Sequence, residues 1–121
     1  MSRMSRNKGK RGELELAAEF RRLFGVDARR GVQYSGGTDS PDVVTDLPGV
    51  HIEVKRTERL SLYPAMKQAA MDAGDKVPVV CHRANRQEWV AIVRLNDLPQ
   101  LASLLAEYGE QAFYNIQETN E

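Results

Sequence analysis

The chain has 121 residues, of which 41% are apolar, and its 17 basic and 17 acidic side chains give a formal net charge of zero. This length and apolar content predict one globular domain with one hydrophobic core. No apolar run approaches the ~20 residues that cross a bilayer, and the polar N-terminus lacks the apolar stretch of a secretory signal. We therefore expect a cytoplasmic protein without a membrane partner. The single cysteine, Cys81, excludes an intrachain disulfide and disfavours a structural zinc site.

The charges are distributed unevenly along the chain. Residues 1–12 contain basic side chains and no acid, whereas the charged residues from Glu107 onward are all acidic. Local Lys and Arg displace counterions from phosphates whatever the total charge, so the basic residues predict a surface that faces nucleic acid. The alternative is a solvated arm that keeps the protein soluble. The predicted DNA-binding residues are Arg3, Arg6, Lys8, Lys10, Arg11, Arg29, Arg30 and Arg56.

Apolar periodicity predicts a first helix over residues 13–24, ended by Gly25. On a helical wheel, Leu16, Phe20 and other apolar residues form one stripe, and Glu13 falls in the middle of it. A buried carboxylate is costly unless it is paired or bound to a metal. Glu13 is therefore a candidate functional residue.

Three short strands are predicted after this helix, over residues 28–33, 42–45 and 50–56. A glycine-rich loop, residues 35–40, separates the first two, and a turn at residues 46–49 joins the second to the third.

The second half of the chain predicts two helices and a hairpin. A helix over residues 62–73 has Ser61 as a cap and Gly74 after it. Strands over 77–82 and 88–93 form the hairpin, and a final helix over 98–108 is capped by Asn96 or Asp97. The resulting order, α-β-β-β-α-β-β-α, predicts an α/β fold with a mixed sheet and helices packed against it.

The turn at residues 46–49 sets the register of the second and third strands. If Thr45 pairs with Val50 across this turn, Asp42 stands directly opposite Glu53 with Cβ atoms about 5 Å apart, where two carboxylates repel unless a cation lies between them. Lys55 lies on the same face as Glu53 because side chains alternate along a strand. The alternative is an exposed hairpin with ordinary surface charges. His51 shares this face and is expected to be solvent-facing.

Two opposed carboxylates suit Mg²⁺, which prefers hard oxygen ligands and keeps several waters, and Mn²⁺ is an alternative. Such an ion would polarise a phosphodiester and lower the pKa of a bound water. Lys55 would orient that water or stabilise the charge that develops on the phosphate. The predicted metal ligands are Asp42 and Glu53, with Glu13 completing the site through a water.

The sequence Pro41-Asp42, followed after ten residues by Glu53-Val54-Lys55, resembles the motif of the PD-(D/E)XK nucleases. The α-β-β-β-α-β order also resembles the core of that superfamily. Lys8-Gly9, followed after three residues by Glu13, resembles the start of the archaeal-type and phage Holliday junction resolvases. The resemblance covers residues 8–95. Those enzymes often carry an arginine after the glutamate, where this chain has Leu14.

The resemblance implies a restriction-endonuclease-like fold with helices on both sides of a mixed β-sheet. It implies an active site of Glu13, Asp42, Glu53 and Lys55. An assisting serine would come from the loop before Asp42, and either Ser35 or Ser40 fits that role. Gln68, on the second helix, would support the site.

The resemblance further implies a magnesium-dependent endonuclease that acts as a homodimer on branched DNA, chiefly four-way junctions, in a prokaryotic, archaeal or phage-infected cell. One alternative is a PD-(D/E)XK nuclease for mismatched, flapped or plain duplex DNA. Another is a catalytically silent DNA-binding module. We expect a basic arm at residues 1–12, a nuclease domain at 13–109 and a tail at 110–121 that covers a dimer partner.

Overall fold

The computed structural model describes residues 3–31, 41–106 and 108, without the side chains of residues 3–7. Its elements are α1 (Arg3–Phe24), β1 (Ala28–Arg30), β2 (Val43–Thr45), β3 (Val50–Arg56), α2 (Leu62–Ala73), β4 (Val77–Arg83), β5 (Val90–Ile92) and a 3₁₀ turn (Leu95–Asp97). Residues 98–106 are also helical and are called α3 here. Within this part of the chain no helix is both long and apolar enough to cross a membrane.

The strands form one five-stranded sheet in the order β1-β2-β3-β4-β5. Neighbouring strands are antiparallel except β3 and β4, which run parallel. Parallel neighbours need a long crossover connection, and α2 supplies it. The order of elements matches the predicted α-β-β-β-α-β-β-α, and the α/β fold with a mixed sheet between helices is confirmed.

The core lies mainly between α1 and one face of the sheet. Leu16, Ala17 and Phe20 of α1 pack there against strand residues that include Ile52 and Val79, and apolar residues of α3 join the same cluster. The opposite face is covered by α2, where Ala65, Met66 and Ala69 pack against Val80 of β4. Alternation along β4 explains this division, because Val79 and Val80 point to opposite faces.

Helix α1 begins at Arg3, ten residues earlier than predicted. The basic segment has no apolar periodicity to reveal a helix, but Arg, Lys and Met are good helix formers. At Gly12, helix α1 lies close against β3. A Cβ atom on Gly12 would lie 2.7 Å from the Cβ of Arg56, so a side chain there would push the helix away. This close approach brings Glu13, the next residue, near the strands that carry Asp42 and Glu53.

Candidate active site

The register between β2 and β3 is the predicted one. Val43 pairs with Ile52, and the continuation of this register places Asp42 opposite Glu53. The backbone N–H of Asp42 donates to the carbonyl oxygen of Ile52 at 2.9 Å. Its Oδ2 accepts a hydrogen bond from the backbone N–H of Val54 at 2.8 Å. Asp42 is therefore held against β3 by both its backbone and its carboxylate.

The two opposed carboxyl groups share a hydrogen bond, and their pKa values are shifted in opposite directions. Burial raises the pKa of Asp42 to about 7, and the adjacent charges of Glu53 and Glu13 add to this effect. Burial also opposes ionisation of Glu53, but hydrogen bonds with His51 and Asp42 outweigh it and hold the pKa of Glu53 below its ordinary value. Without a cation, Asp42 therefore keeps its proton to a higher pH than an ordinary aspartate does.

This arrangement predicts that Asp42→Asn stabilises the metal-free protein. Because the pKa of Asp42 is higher in the folded state than in the unfolded chain, the folded state binds more protons between pH ~4 and ~7, and stability falls as pH rises through that window. At pH 8 we expect the free energy of unfolding of the Asp42→Asn variant to exceed that of wild type by roughly 1 kcal/mol or more. At pH 5 the difference should shrink. Urea denaturation in EDTA at pH 5 and at pH 8 measures this difference in the free energy of unfolding. An equal difference at both pH values would contradict the burial of an ionised Asp42.

His51 is buried, with 3% of its surface exposed, so its predicted exposure to solvent is wrong. It does lie on the face of β3 that carries Glu53, and its Nε2 is 2.7 Å from Oε1 of Glu53. Alternation along β3 indicated this shared face, but only the packing of α2 over it buries the ring. His51 is therefore a site residue that sequence reasoning did not select.

Helix α2 adds two polar side chains next to His51. Asp72 lies close enough to His51 and Glu53 for one ligand atom from each to fall within 4.8 Å of the others. Gln68, one turn earlier, donates from Nε2 to both carboxylate oxygens of Asp72 at 3.1 Å. Gln68 thus contacts the site through Asp72.

The remaining predicted catalytic residues fall in three groups. Lys55 is half-buried on the Glu53 face, and its charge contributes to the lowered pKa of Glu53. Glu13 lies near enough to raise the pKa of Asp42, and its carboxylate bonds the guanidinium of Arg30. Ser35 and Ser40 lie outside the described residues.

The ligand types and their burial suit a cation near Glu53. Two partly buried carboxyl groups that share a proton can exchange that proton for a divalent ion, which removes their repulsion. Across the described ranges, the three side chains whose ligand atoms converge most tightly are His51, Glu53 and Asp72. The predicted set of Asp42, Glu53 and Glu13 differs from this cluster and stays a prediction.

Comparison with known proteins agrees with the fold. The chain is similar to the solved structure of Archaeoglobus fulgidus Hjc, a Holliday junction resolvase from an archaeal hyperthermophile. The TM-score is 0.53 and the sequence identity 26%, over 71% of this chain and 72% of that chain. This chain has a resolvase-like PD-(D/E)XK fold. No protein-family model and no curated protein sequence matches it.

The predicted DNA-binding residues differ in their exposure and in their bonds to other residues of the chain. Lys10, Arg11 and Arg29 are exposed, whereas Lys8 lies 3.8 Å from a carboxylate oxygen of Glu58. Arg56 donates to the carbonyl oxygen of Arg83 at 3.2 Å and to Oδ1 of Asn85 at 3.0 Å. Its side chain therefore holds the turn between β4 and β5. Arg30 bonds Glu13, and the side chains of Arg3 and Arg6 are outside the described part.

Proposed function

We propose that the chain is a metal-dependent endonuclease that hydrolyses phosphodiesters in branched DNA, with the four-way junction as its preferred substrate. The observation that carries the proposal is the partly buried, hydrogen-bonded pair of Asp42 and Glu53 with Lys55 on the same face. The similarity to an archaeal Holliday junction resolvase supports the choice of substrate. We further propose that the chain acts as a cytoplasmic homodimer, because two symmetric nicks require two active sites.

In this proposal Asp42 and Glu53 hold Mg²⁺, with Mn²⁺ as the alternative. The bound ion would polarise the scissile phosphate and lower the pKa of the attacking water. Lys55 directs its ammonium group at the phosphate and stabilises the negative charge that develops as the water oxygen adds to phosphorus and the ester oxygen leaves.

The other predicted residues have supporting roles in the proposal. Glu13 orients a water at the edge of the site, and its bond to Arg30 keeps the carboxylate in place. Ser35 or Ser40 contacts the phosphate from the loop before Asp42. Gln68 acts indirectly, since its amide fixes the carboxylate of Asp72.

A cleavage assay on four substrates tests this function. Equal concentrations of four-way junction, flap, mismatched duplex and plain duplex are incubated with Mg²⁺, with Mn²⁺ and with EDTA. We expect cleavage only with a divalent ion, and faster cleavage of the junction than of the other three. Binding to every substrate without cleavage under any condition would show a silent DNA-binding module. Equal cleavage of plain duplex and junction would contradict junction selectivity and leave a nuclease of another specificity.

The N-terminal basic residues are proposed to contact DNA phosphates. Replacing Arg3, Arg6 and Lys8 together by Gln removes the charges and retains good helix formers in α1. If all three contact duplex phosphates, the slope of log K against log salt should flatten by up to about 3. Fluorescence anisotropy across a salt series measures this slope. Lys76→Gln, at an exposed position after α2, is the control, and an unchanged slope in the triple variant would exclude these contacts.

A further inference from the structure

His51, Glu53 and Asp72 form a mixed cluster of nitrogen and oxygen donors beside the Asp42–Glu53 pair. His51 and Glu53 belong to β3, and Asp72 reaches them from α2. The imidazole Nε2 and the nearer carboxylate oxygen of Glu53 are 2.7 Å apart, and one ligand atom of Asp72 lies within 4.8 Å of both. Small inward movements would place all three donors at the ~2.0–2.2 Å bond lengths of a common ion.

The placement of Asp72 is unusual for the face of α2 on which it lies. Helix positions three or four residues apart share a face, so Ala65, Ala69 and Asp72 all lie toward the sheet. Ala65 and Ala69 are buried apolar residues, whereas Asp72 introduces a carboxylate at the next turn. The small side chains let α2 approach β3 closely enough for this carboxylate to reach His51.

Lys55 acts on Glu53 through its charge, but in the described part of the chain it forms no ion pair with Glu53 or Asp72. In the described ranges, neither Glu53 nor Asp72 has a Lys or Arg nitrogen within ion-pair distance. Asp72 accepts hydrogen bonds from the neutral amide of Gln68, and Glu53 contacts His51 and Asp42. A partly buried group of carboxylates with a neutral amide and an imidazole as neighbours attracts a cation.

We propose that His51, Glu53 and Asp72 bind a second divalent cation of the borderline class, such as Zn²⁺ or Co²⁺. Imidazole nitrogen is a poor ligand for Mg²⁺ and a good one for these ions, whereas the Asp42–Glu53 pair offers oxygen donors alone. Three protein ligands leave coordination positions for water, which is typical of an open site. Glu53 is shared between the two sites, so it would link the second ion to the nuclease site.

Titration of metal-free, tag-free protein with Zn²⁺ tests this site without DNA. The Asp42→Asn variant serves as the background, because it removes a ligand of the nuclease site and retains all three ligands of the second site. In this background we expect His51→Gln and Asp72→Asn each to weaken Zn²⁺ affinity by at least about tenfold, measured by calorimetry. Asp75→Asn and His82→Gln are the matched controls, and their Zn²⁺ affinity should equal that of the background.

Nuclear magnetic resonance of the ring nitrogens provides a second measurement that needs no histidine variant. The chain has two histidines, and Nε2 of His82 bonds the carbonyl oxygen of Thr57 outside the cluster. Zn²⁺ should shift the ring-nitrogen signals of His51 and leave those of His82 in place. Unchanged signals of His51, or equal Zn²⁺ affinity in the background and in folded His51→Gln, would overturn the proposal. Neither result depends on nuclease activity, so this failure is distinct from failure of the proposed function.

Discussion

Asp42→Asn and Glu53→Gln are each expected to lower the rate of junction cleavage by about a thousandfold or more. Several kcal/mol of transition-state stabilisation come from a catalytic ion, and each 1.4 kcal/mol corresponds to a factor of ten in rate. Either substitution removes a charged ligand while preserving the shape of the side chain. The fold and the affinity for junction DNA should therefore change little. Single-turnover cleavage of a labelled junction in Mg²⁺ measures the rate, and anisotropy with Ca²⁺ in place of Mg²⁺ measures binding.

Two carboxylates outside the site provide matched controls for these variants. Asp46 is exposed in the turn between β2 and β3, and Glu88 is exposed before β5. Asp46→Asn and Glu88→Gln should cleave at the wild-type rate. Near wild-type cleavage by Asp42→Asn or Glu53→Gln would show that the Asp42–Glu53 pair is not the nuclease centre.

Lys55→Ala is expected to inactivate one subunit of the proposed homodimer and to uncouple the two nicks. Loss of one preorganised positive charge at a transition state costs about 10²–10³-fold in rate. A dimer with one wild-type and one Lys55→Ala subunit should therefore nick one strand of a junction and leave the other intact. Two affinity tags isolate such heterodimers, and a cruciform extruded from a supercoiled plasmid separates the products. Wild-type dimers should yield linear DNA, and heterodimers should yield nicked circles.

The matched control for this experiment is a heterodimer that carries Lys76→Ala. Lys76 is an exposed lysine beyond the end of α2, and its loss should leave the linear product unchanged. Linear DNA from the Lys55→Ala heterodimer at the wild-type rate would contradict paired cleavage by two sites. A chain that sediments as a monomer and still resolves junctions would contradict the proposed assembly and leave the metal-dependent nuclease in place.

The sequence alone determined the order of the elements and the register of the hairpin that carries the opposed carboxylates. The turn at residues 46–49 lies between β2 and β3, so the pairing of Val43 with Ile52 follows from neighbours along the chain. Alternation along β3 placed Glu53 and Lys55 on one face for the same local reason. Glu13 could be selected as a candidate residue because its carboxylate interrupts an apolar helix stripe. No such signal marked the start of α1 at Arg3.

Tertiary packing decided which further side chains surround the carboxylates. His51 is buried because α2 covers its face of the sheet, and Asp72 joins it because Ala65 and Ala69 allow a close approach. Arg30 bonds Glu13 across the contact between α1 and β1, so one of the predicted DNA-binding residues is partnered within the protein. These contacts join residues far apart in the sequence. Their distances depend on how helices pack against the sheet, and neither periodicity nor turn chemistry encodes that packing.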